Sequence, residues 1–401
     1  MKHKLFTIIS VFIIFGITLS LVSVAFAAKN QNSDIKTRKI VIFKKNVLNK
    51  DIKKSLIERH SGIKIKDLDI VNGAATLLSP KEEQILLNQN EILRVDDDVE
   101  VSILVRPPEI QKSRKIQPNE ITPWNITRIN AQNAWDITSG DIARVAVIDT
   151  GIDIKHPDLI NNLKGGFSAV GYTTSYNDDN GHGTHVAGII AAMDNTIGVI
   201  GAAPQADLYA VKVLDRRGSG YLSDVIEGID WAITNNMQVI NMSLGTTTNI
   251  ISFQEAIQRA NAAGIIQVVA AGNSGGAVNY PAAYPEVIAV SATDNTNTIA
   301  SWSSRGPEVD LAAPGVSIYS TYKGQTYKTL SGTSMAAPHV AASAALILTT
   351  LVGSYDSNND GIWNPNEVQN KLQDRATDLG DNGFDNLYGF GLVNTHSAVL
   401  P

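Results

Sequence analysis

From Asp141 onward, short apolar runs alternate with amphipathic stretches, and this alternation restricts the fold more than any other feature of the chain. RVAVID, DLYAVKV, VINMSLG, IIQVVAAG and VIAVSAT have the length and near-continuous apolar character of strands buried on both faces. THVAGIIAAM, SDVIEGIDWAITNN, SFQEAIQRANAAG and SMAAPHVAASAALILTTL read as helices. Strand followed by helix, repeated, predicts an α/β body: a doubly wound, mostly parallel sheet with helices on both faces. In such sheets reactive groups collect at the carboxyl ends of the strands.

Three places in that body carry chemistry-bearing side chains beside glycines or small residues. Asp149 follows the strand RVAVI in DTG, His182 sits in NGHGTHVAG at a helix start, and Ser334 opens the last long helix in SGTSMAAPHVA. Singly, each has a structural explanation: a turn or cap aspartate, a loop histidine, a helix N-cap serine. Together they supply the nucleophile, base and orienting carboxylate of acyl transfer, from three loops able to converge at one sheet edge. Asn273, in VVAAGNSGG, also follows a buried strand, where its carboxamide could donate to oxygen charge developing on a substrate.

The amino-terminal part differs in character. Residues 1–27 join Lys2 and Lys4 to an apolar run ending in Ala25-Phe26-Ala27, the pattern of a secretory signal cleaved after Ala27. The run is also long enough for an uncleaved anchor, and the Ala-x-Ala end favours cleavage. Export places the chain in an oxidising exterior, yet it has no cysteine, so neither disulfides nor thiol chemistry are available. Residues 1–117 hold 20 Lys+Arg against 13 Asp+Glu, whereas residues 118–401 hold 13 against 26. A basic segment ahead of an acidic body fits an anionic surface or, equally, the body to which it is attached. Over about residues 38–106 the pattern is KIVIFKK, a helix DIKKSLIERHSG, two short strands turning at Asn72-Gly73, a helix opened by Ser79 and Pro80, and a strand VEVSILV. This predicts a small ferredoxin-like α+β domain without catalytic features, with His60 at a helix end and Asp96 to Asp98 in a solvated turn. Proline, charge and the lack of periodicity mark Arg106 to Glu120 as an exposed linker suited to proteolysis.

The segments VIDTG, NGHGTHVAG, AAGN and GTSMAAPHVA, in that order, resemble the signature blocks of the subtilisin family of secreted serine proteases, over roughly Glu120 to Leu351. The basic segment resembles that family's inhibitory propeptide. The resemblance implies a signal peptide (1–27), a propeptide (28–117) acting as intramolecular inhibitor and folding aid, and a peptidase domain (118–401). Protein or peptide substrates would be cut by Ser334, with His182 as base, Asp149 orienting it and Asn273 in the oxyanion hole; the order Asp, His, Ser is this family's own template. Gly218-Ser219-Gly220 and Ser243-Leu244-Gly245 resemble the two segments that clasp a substrate strand. Ala270, Ala271, Gly272 and Asn279 resemble positions around the first specificity pocket, and Asn279, where a smaller residue is common, implies an apolar pocket of reduced depth. Nucleic acid is not an expected partner, nor is a membrane after signal cleavage. Two other readings stand beside a broad endopeptidase: a dedicated peptidase maturing one secreted peptide, and a catalytically silent binding protein on the same scaffold.

Calcium is expected at two places. By resemblance, Asp158 and Asn195 would give side-chain oxygens and Met193, Ile197 and Val199 carbonyls, with Glu120 where the family usually has glutamine. The second is read from spacing: DSNNDGIWNPNE, Asp356 to Glu367, fits a twelve-residue EF-hand loop. Asp356, Asn358, Asp360, the Ile362 carbonyl, Asn364 and Glu367 would ligate, with Gly361 at the turn. The alternative is that Asn364, Pro365 and Glu367 cap the following helix while the acids face water.

Overall fold

The computed structural model describes residues 35–105 and 117–401, so the expected signal peptide and most of the Arg106 to Glu120 linker lie outside the described residues. The chain divides into two compact units, one ending at Asp98 and one running from Val99 to Pro401. Among the described residues no helix is long and apolar enough to cross a membrane.

In the first unit, β1 (Thr37–Phe43), β2 (Ile63–Leu68), β3 (Gly73–Leu78) and β4 (Ile92–Asp97) form an antiparallel sheet of order β2-β3-β1-β4. Helices Lys50–Arg59 and Pro80–Leu87 pack on it over Val41, Phe43, Leu56, Ile57, Leu78 and Leu86. Ser79 and Glu82 form a reciprocal capping box ahead of Pro80, as the sequence predicts. Two expectations fail. The closing strand of this sheet is Ile92–Asp97, not VEVSILV. The acidic run is not a solvated turn: Asp96 and Asp97 lie in β4, and Asp98 is buried against Arg38 Nε at 2.8 Å. Arg38, Lys39 and Arg94 pair with these acids, which lets a strand end carry three carboxylates.

The second unit begins with β5 (Glu100–Ile103) and is built on β6 (Arg144–Asp149), β7 (Leu163–Ser168), β8 (Asp207–Lys212), β10 (Val239–Met242), β12 (Ile266–Ala270), β13 (Ile288–Thr293) and β14 (Leu311–Pro314). These seven, in the order β14-β13-β12-β10-β6-β8-β7, are parallel throughout. Side-chain alternation divides the faces. Val145, Val147, Val268 and Val290 join a core with helices His182–Ala191 and Thr333–Ile347, while Ile148 and Val211 meet Gly228 of helix Leu222–Thr234. Every residue of Thr333–Ile347 is buried, which explains why it is apolar around its whole circumference.

Candidate active site

The sheet's carboxyl edge gathers the four residues singled out in the sequence. Asp149 ends β6, Asn273 follows β12, His182 is the first residue of its helix and Ser334 the second residue of the buried helix. His182 Nδ1 lies 2.8 and 2.9 Å from the two Asp149 oxygens, and both side chains are buried. Ser334 Oγ donates to the Ser243 carbonyl at 2.9 Å and accepts the Leu104 N–H at 3.1 Å. The Ser334 hydroxyl therefore does not bond to the imidazole in this conformation, and His182 Nε2 is buried without a hydrogen-bond partner.

The glycines around His182 have steric causes. Gly181 adopts φ +113°, and a Cβ there would enter the Tyr322 ring. A Cβ on Gly183 would collide with the Gly151 carbonyl and come within 3.2 Å of the Asp149 side chain. Below them lies a residue that sequence reasoning misses. The buried Asp178 carboxylate accepts from Thr150 Oγ1 (2.9 Å), Gly181 N (2.8 Å), Asn180 N (2.9 Å), Thr184 N (3.0 Å) and Thr184 Oγ1 (2.6 Å). Burial pushes its carboxyl above the usual range, opposed by those hydrogen bonds. Its one cue in the sequence is its place four residues before His182. His185, one turn further on, is buried between the Ile318 and Lys328 carbonyls, and burial lowers it to about 3.

Asn273 is oriented by Thr333, whose N–H and hydroxyl donate to Asn273 Oδ1 at 2.9 and 3.0 Å. A main-chain N–H can only donate, so the amide oxygen faces Thr333 and Nδ2 is left unpaired and buried. A Cβ on Gly332 would lie 3.3 Å from that Nδ2 and would collide with the Leu104 carbonyl oxygen. The same carbonyl accepts from Ser334 N at 3.3 Å, at the start of the long helix. One Cβ position on Gly332 thus lies close both to the carbonyl oxygen that Ser334 N binds and to the unpaired Asn273 Nδ2.

The segments expected to clasp a substrate are β9 (Ser219–Tyr221) and β11 (Leu244–Gly245), and between them runs β5, antiparallel to both. Gly218 lies alongside, its carbonyl accepting from Ile103 N at 3.0 Å. The Leu104 side chain lies by Gly245, whose added Cβ would be 3.3 Å from Leu104 Cδ1 and from Asn279 Cβ. Ala270 and Ala271 are buried, and a Cβ on Gly272 would lie 3.1 Å from the Asn279 amide carbon.

Of the calcium candidates, Asp158 is fully buried and accepts from Asn195 Nδ2 (2.7 Å), Val199 N (3.0 Å) and Tyr327 OH (3.1 Å). Glu120 Oε1 accepts from Asn195 N at 2.6 Å, and Asn195 Oδ1 from Ile197 N at 2.7 Å. Met193 N donates to the Asp158 carbonyl at 3.0 Å. In the second candidate, Asp356 accepts from Asp360 N and Gly361 N, both at 3.0 Å, and Gly361 turns the loop at φ +73°. Asn358 Nδ2 donates to Asp360 at 2.8 Å, and Asp360 accepts from Ile362 N. Glu367 is buried and occupied: it accepts from Ser357 N and Oγ at 2.8 Å and closes a capping box with Asn364. Among the described residues no group of three or more His, Cys, Asp or Glu side chains is gathered to hold a metal, Asp356, Asp360 and Glu367 included.

Comparison with known proteins agrees with this arrangement. Residues 140–391 match the subtilase family model. The chain is 50% identical over 292 residues to a thermostable alkaline protease of Halalkalibacterium halodurans, covering 72% of this chain and 77% of the relative. It is 41% identical over 397 residues to subtilisin E of Bacillus subtilis, covering 96% of each. With subtilisin Savinase of Lederbergia lenta the identity is 47% over 279 residues, 69% of this chain and 98% of the relative. The chain belongs to the subtilase family and is a serine endopeptidase of broad specificity.

Proposed function

We propose that this endopeptidase is made as a secreted zymogen, and that Asp149, His182, Ser334 and Asn273 carry its chemistry. The observation that supports this most is the buried 2.8 Å contact between Asp149 and His182 Nδ1, which leaves Nε2 as the nitrogen able to take a proton. Ser334 Oγ attacks the peptide carbonyl as its proton passes to Nε2, while Asp149 holds the imidazole tautomer and stabilises its charged form. Ser334 N and Asn273 Nδ2 receive the oxyanion, and the imidazolium then protonates the leaving amine. A fluorophosphonate probe should label Ser334 covalently and fail to label Ser334→Ala; an unlabelled but folded wild-type chain would contradict the assignment.

Residues 1–27 act as the export signal and are removed after Ala27, leaving no stable membrane association. The basic segment 28–117 serves as intramolecular inhibitor and folding aid, its charge opposite to that of the body. Mixing separately produced segments and finding undiminished hydrolysis would refute that role. Gly218 to Gly220 and Ser243 to Gly245 bind protein substrates through main-chain hydrogen bonds, which read backbone more than sequence. Ala270 to Gly272 and Asn279 line a shallow apolar pocket, which favours leucine-sized over large aromatic residues; cleavage-site profiling tests this.

Calcium is the cofactor we assign. Asp158 and Asn195, with the Met193, Ile197 and Val199 carbonyls, offer an all-oxygen donor set suited to a hard cation. Burial pushes Asp158 up to about 6, and a bound cation would favour its ionised form. The Asp356 to Glu367 loop fits less completely: Asp356, Asn358, Asp360, Ile362 and Asn364 offer oxygens, but ligation by Glu367 requires it to leave its cap. Calcium titration of an Asp356→Ala, Asp360→Ala variant should show one ion fewer, and unchanged stoichiometry would remove this second site. The ions would stabilise loops; they take no part in peptide hydrolysis.

A further inference from the structure

We propose that Lys212 is a positioning residue for the hydrolysis. Its buried ammonium holds the Thr150 carbonyl, and through it the turn that presents the Asp149 carboxylate to His182, while Asp179 serves as the counter-ion that lets the charge be buried. The proposal rests on the endopeptidase reading above and adds to it a residue outside the set Asp149, His182, Ser334 and Asn273.

Lys212 is the last residue of β8 and stands directly opposite Asp149, the last residue of β6. Alternation along β8 sets its direction. Ala210, two residues earlier, belongs to the core shared with helix His182–Ala191, so Lys212 faces the same side of the sheet. There its side chain is fully buried, and its three N–H donors meet three acceptors: Thr150 O at 2.7 Å, Asp179 Oδ1 at 2.7 Å and Leu214 O at 3.0 Å. Burying an ammonium is costly unless every N–H is bonded and an opposite charge lies close, and both conditions are met here. An apolar side chain of similar length would fill the same space at lower cost, so packing alone does not call for a lysine.

What the ammonium holds points to the reaction. Thr150 N donates to Asp149 Oδ1 at 2.7 Å, so Thr150 orients the carboxylate with its N–H while Lys212 grips its carbonyl. The main chain just beyond Lys212 closes on the same place: Val213 N and Leu214 N both donate to Asp149 O, at 2.9 and 3.1 Å. A shift of the Thr150 carbonyl would therefore carry Asp149 Oδ1 away from its 2.8 Å contact with His182 Nδ1. On the other side, Asp179 lies three residues before His182 and is itself fixed: Tyr172 OH donates to Oδ2 at 2.7 Å, and Lys323 Nζ donates to its main-chain oxygen. Asp178 links the turn after Asp149 to the loop before His182 through the Thr150 hydroxyl; Lys212 links the same two segments through the Thr150 carbonyl.

Lys212→Met removes the grip, but it also leaves the Asp179 carboxylate without its cation, so a lower Tm is expected from it. Adding Asp179→Asn removes that unpaired charge, and replacing both members of a buried ion pair costs far less than removing one. The double variant therefore separates positioning from stability. Its Tm should recover at least part of the loss, while kcat per Ser334 labelled by a fluorophosphonate probe stays about tenfold or more below wild type and KM changes by less than about twofold. The proton NMR signal of His182 Nδ1–H, set by its bond to Asp149, should be displaced in both variants. A double variant whose kcat per labelled site returns to within about twofold of wild type, with the His182 signal in place, overturns the proposal and leaves Lys212 a lysine of the fold alone. A rise in KM at constant kcat overturns it too, since the residue would then act on substrate binding. Both results leave the endopeptidase reading intact, whereas a folded wild-type chain that the probe does not label sinks that reading instead.

Discussion

Thr150 Oγ1 donates to Asp178 Oδ1 at 2.9 Å and in turn accepts Gly183 N at 2.9 Å, so one hydroxyl ties the residue after Asp149 to the residue after His182. Asp178 completes the link by accepting from Gly181 and Thr184 on the helix side. The 2.8 Å contact between Asp149 and His182 is therefore held from below by a carboxylate that does not face the substrate.

Asp178→Asn keeps the shape of that support but, whichever oxygen the N–H₂ replaces, turns it toward at least one main-chain N–H that can only donate. Each buried donor left unpaired costs about 1–3 kcal/mol, so a lower Tm is expected. A triad displaced by a fraction of an ångström loses up to about 10²-fold in kcat. As a positioning residue, Asp178 should affect kcat and the rate of probe labelling far more than KM. A rise in KM at constant kcat would show that it acts on the substrate cleft instead.

Asn273→Ala removes one of the two donors assigned to the oxyanion. A loss of about 10² to 10³ in kcat with little change in KM is expected, the magnitude being that of this family's own oxyanion asparagine. Thr333→Val is more informative. It removes the hydroxyl that helps fix the Asn273 amide while keeping the shape and the main-chain donor, so a partial loss, near tenfold in kcat, should follow. Equal losses in the two variants would mean that Thr333 holds more than the amide.

Much of this site is legible in the sequence because its chemistry demands particular residues at particular breaks in the pattern. Gly181 and Gly183 flank His182 because a left-handed φ and the nearness of Asp149 exclude side chains, and the sequence shows that exclusion directly. The sheet is legible in its interior and obscure at its borders. The sheet strands that the apolar pattern does not reveal, Leu163–Ser168 and Leu311–Pro314, are the two edges of the seven-stranded sheet. The first contains a glycine pair and is only half buried, and the second is four residues ending in proline, so neither offers a continuous apolar run. VEVSILV reads as a strand, but β-propensity does not name a partner, and its neighbours lie more than a hundred residues away in β9 and β11. Asp178 is unreadable for a similar reason: an aspartate in a polar loop looks solvated until the fold buries it.

Gly332→Ala tests the close approach at the cleft. Gly332 has an extended backbone, φ 161°, that any residue adopts, so alanine is not expected to strain the body once Leu104 has left the cleft. Its methyl group would occupy the space where the Leu104 carbonyl oxygen now accepts from Ser334 N, 3.3 Å from Asn273 Nδ2. An unchanged Tm with kcat/KM reduced on the order of 10²-fold or more is the expected pair of results, the loss arising from a displaced scissile carbonyl. A fall in Tm with activity preserved in the folded fraction would mean that the glycine serves packing.

The pH dependence of stability should be set by buried groups with opposed signs. Burial lowers His185 to about 3 and His339 to about 4, so both stay neutral in the folded chain while the unfolded chain takes up protons below about 6.5. Their contribution is complete above that pH and is lost as the pH falls. Asp310 runs the other way: burial raises it to about 6, against hydrogen bonds from Ala289, Gln369 and Gln373. Its stabilising contribution is present below about 4 and is lost as pH rises through 6. Between roughly pH 4 and 6 two histidine protons therefore oppose one aspartate proton, and each proton is worth about 1.4 kcal/mol per pH unit. These three groups together make the chain less stable on acidification. Asp310→Asn removes the opposing group while both glutamine amides can turn to meet the new N–H₂, so its stability should fall more steeply between pH 6 and 4 than that of the wild type. Denaturant midpoints at fixed calcium, measured across that window for both proteins, decide the matter. Parallel profiles would show that Asp310 ionises normally in the folded chain.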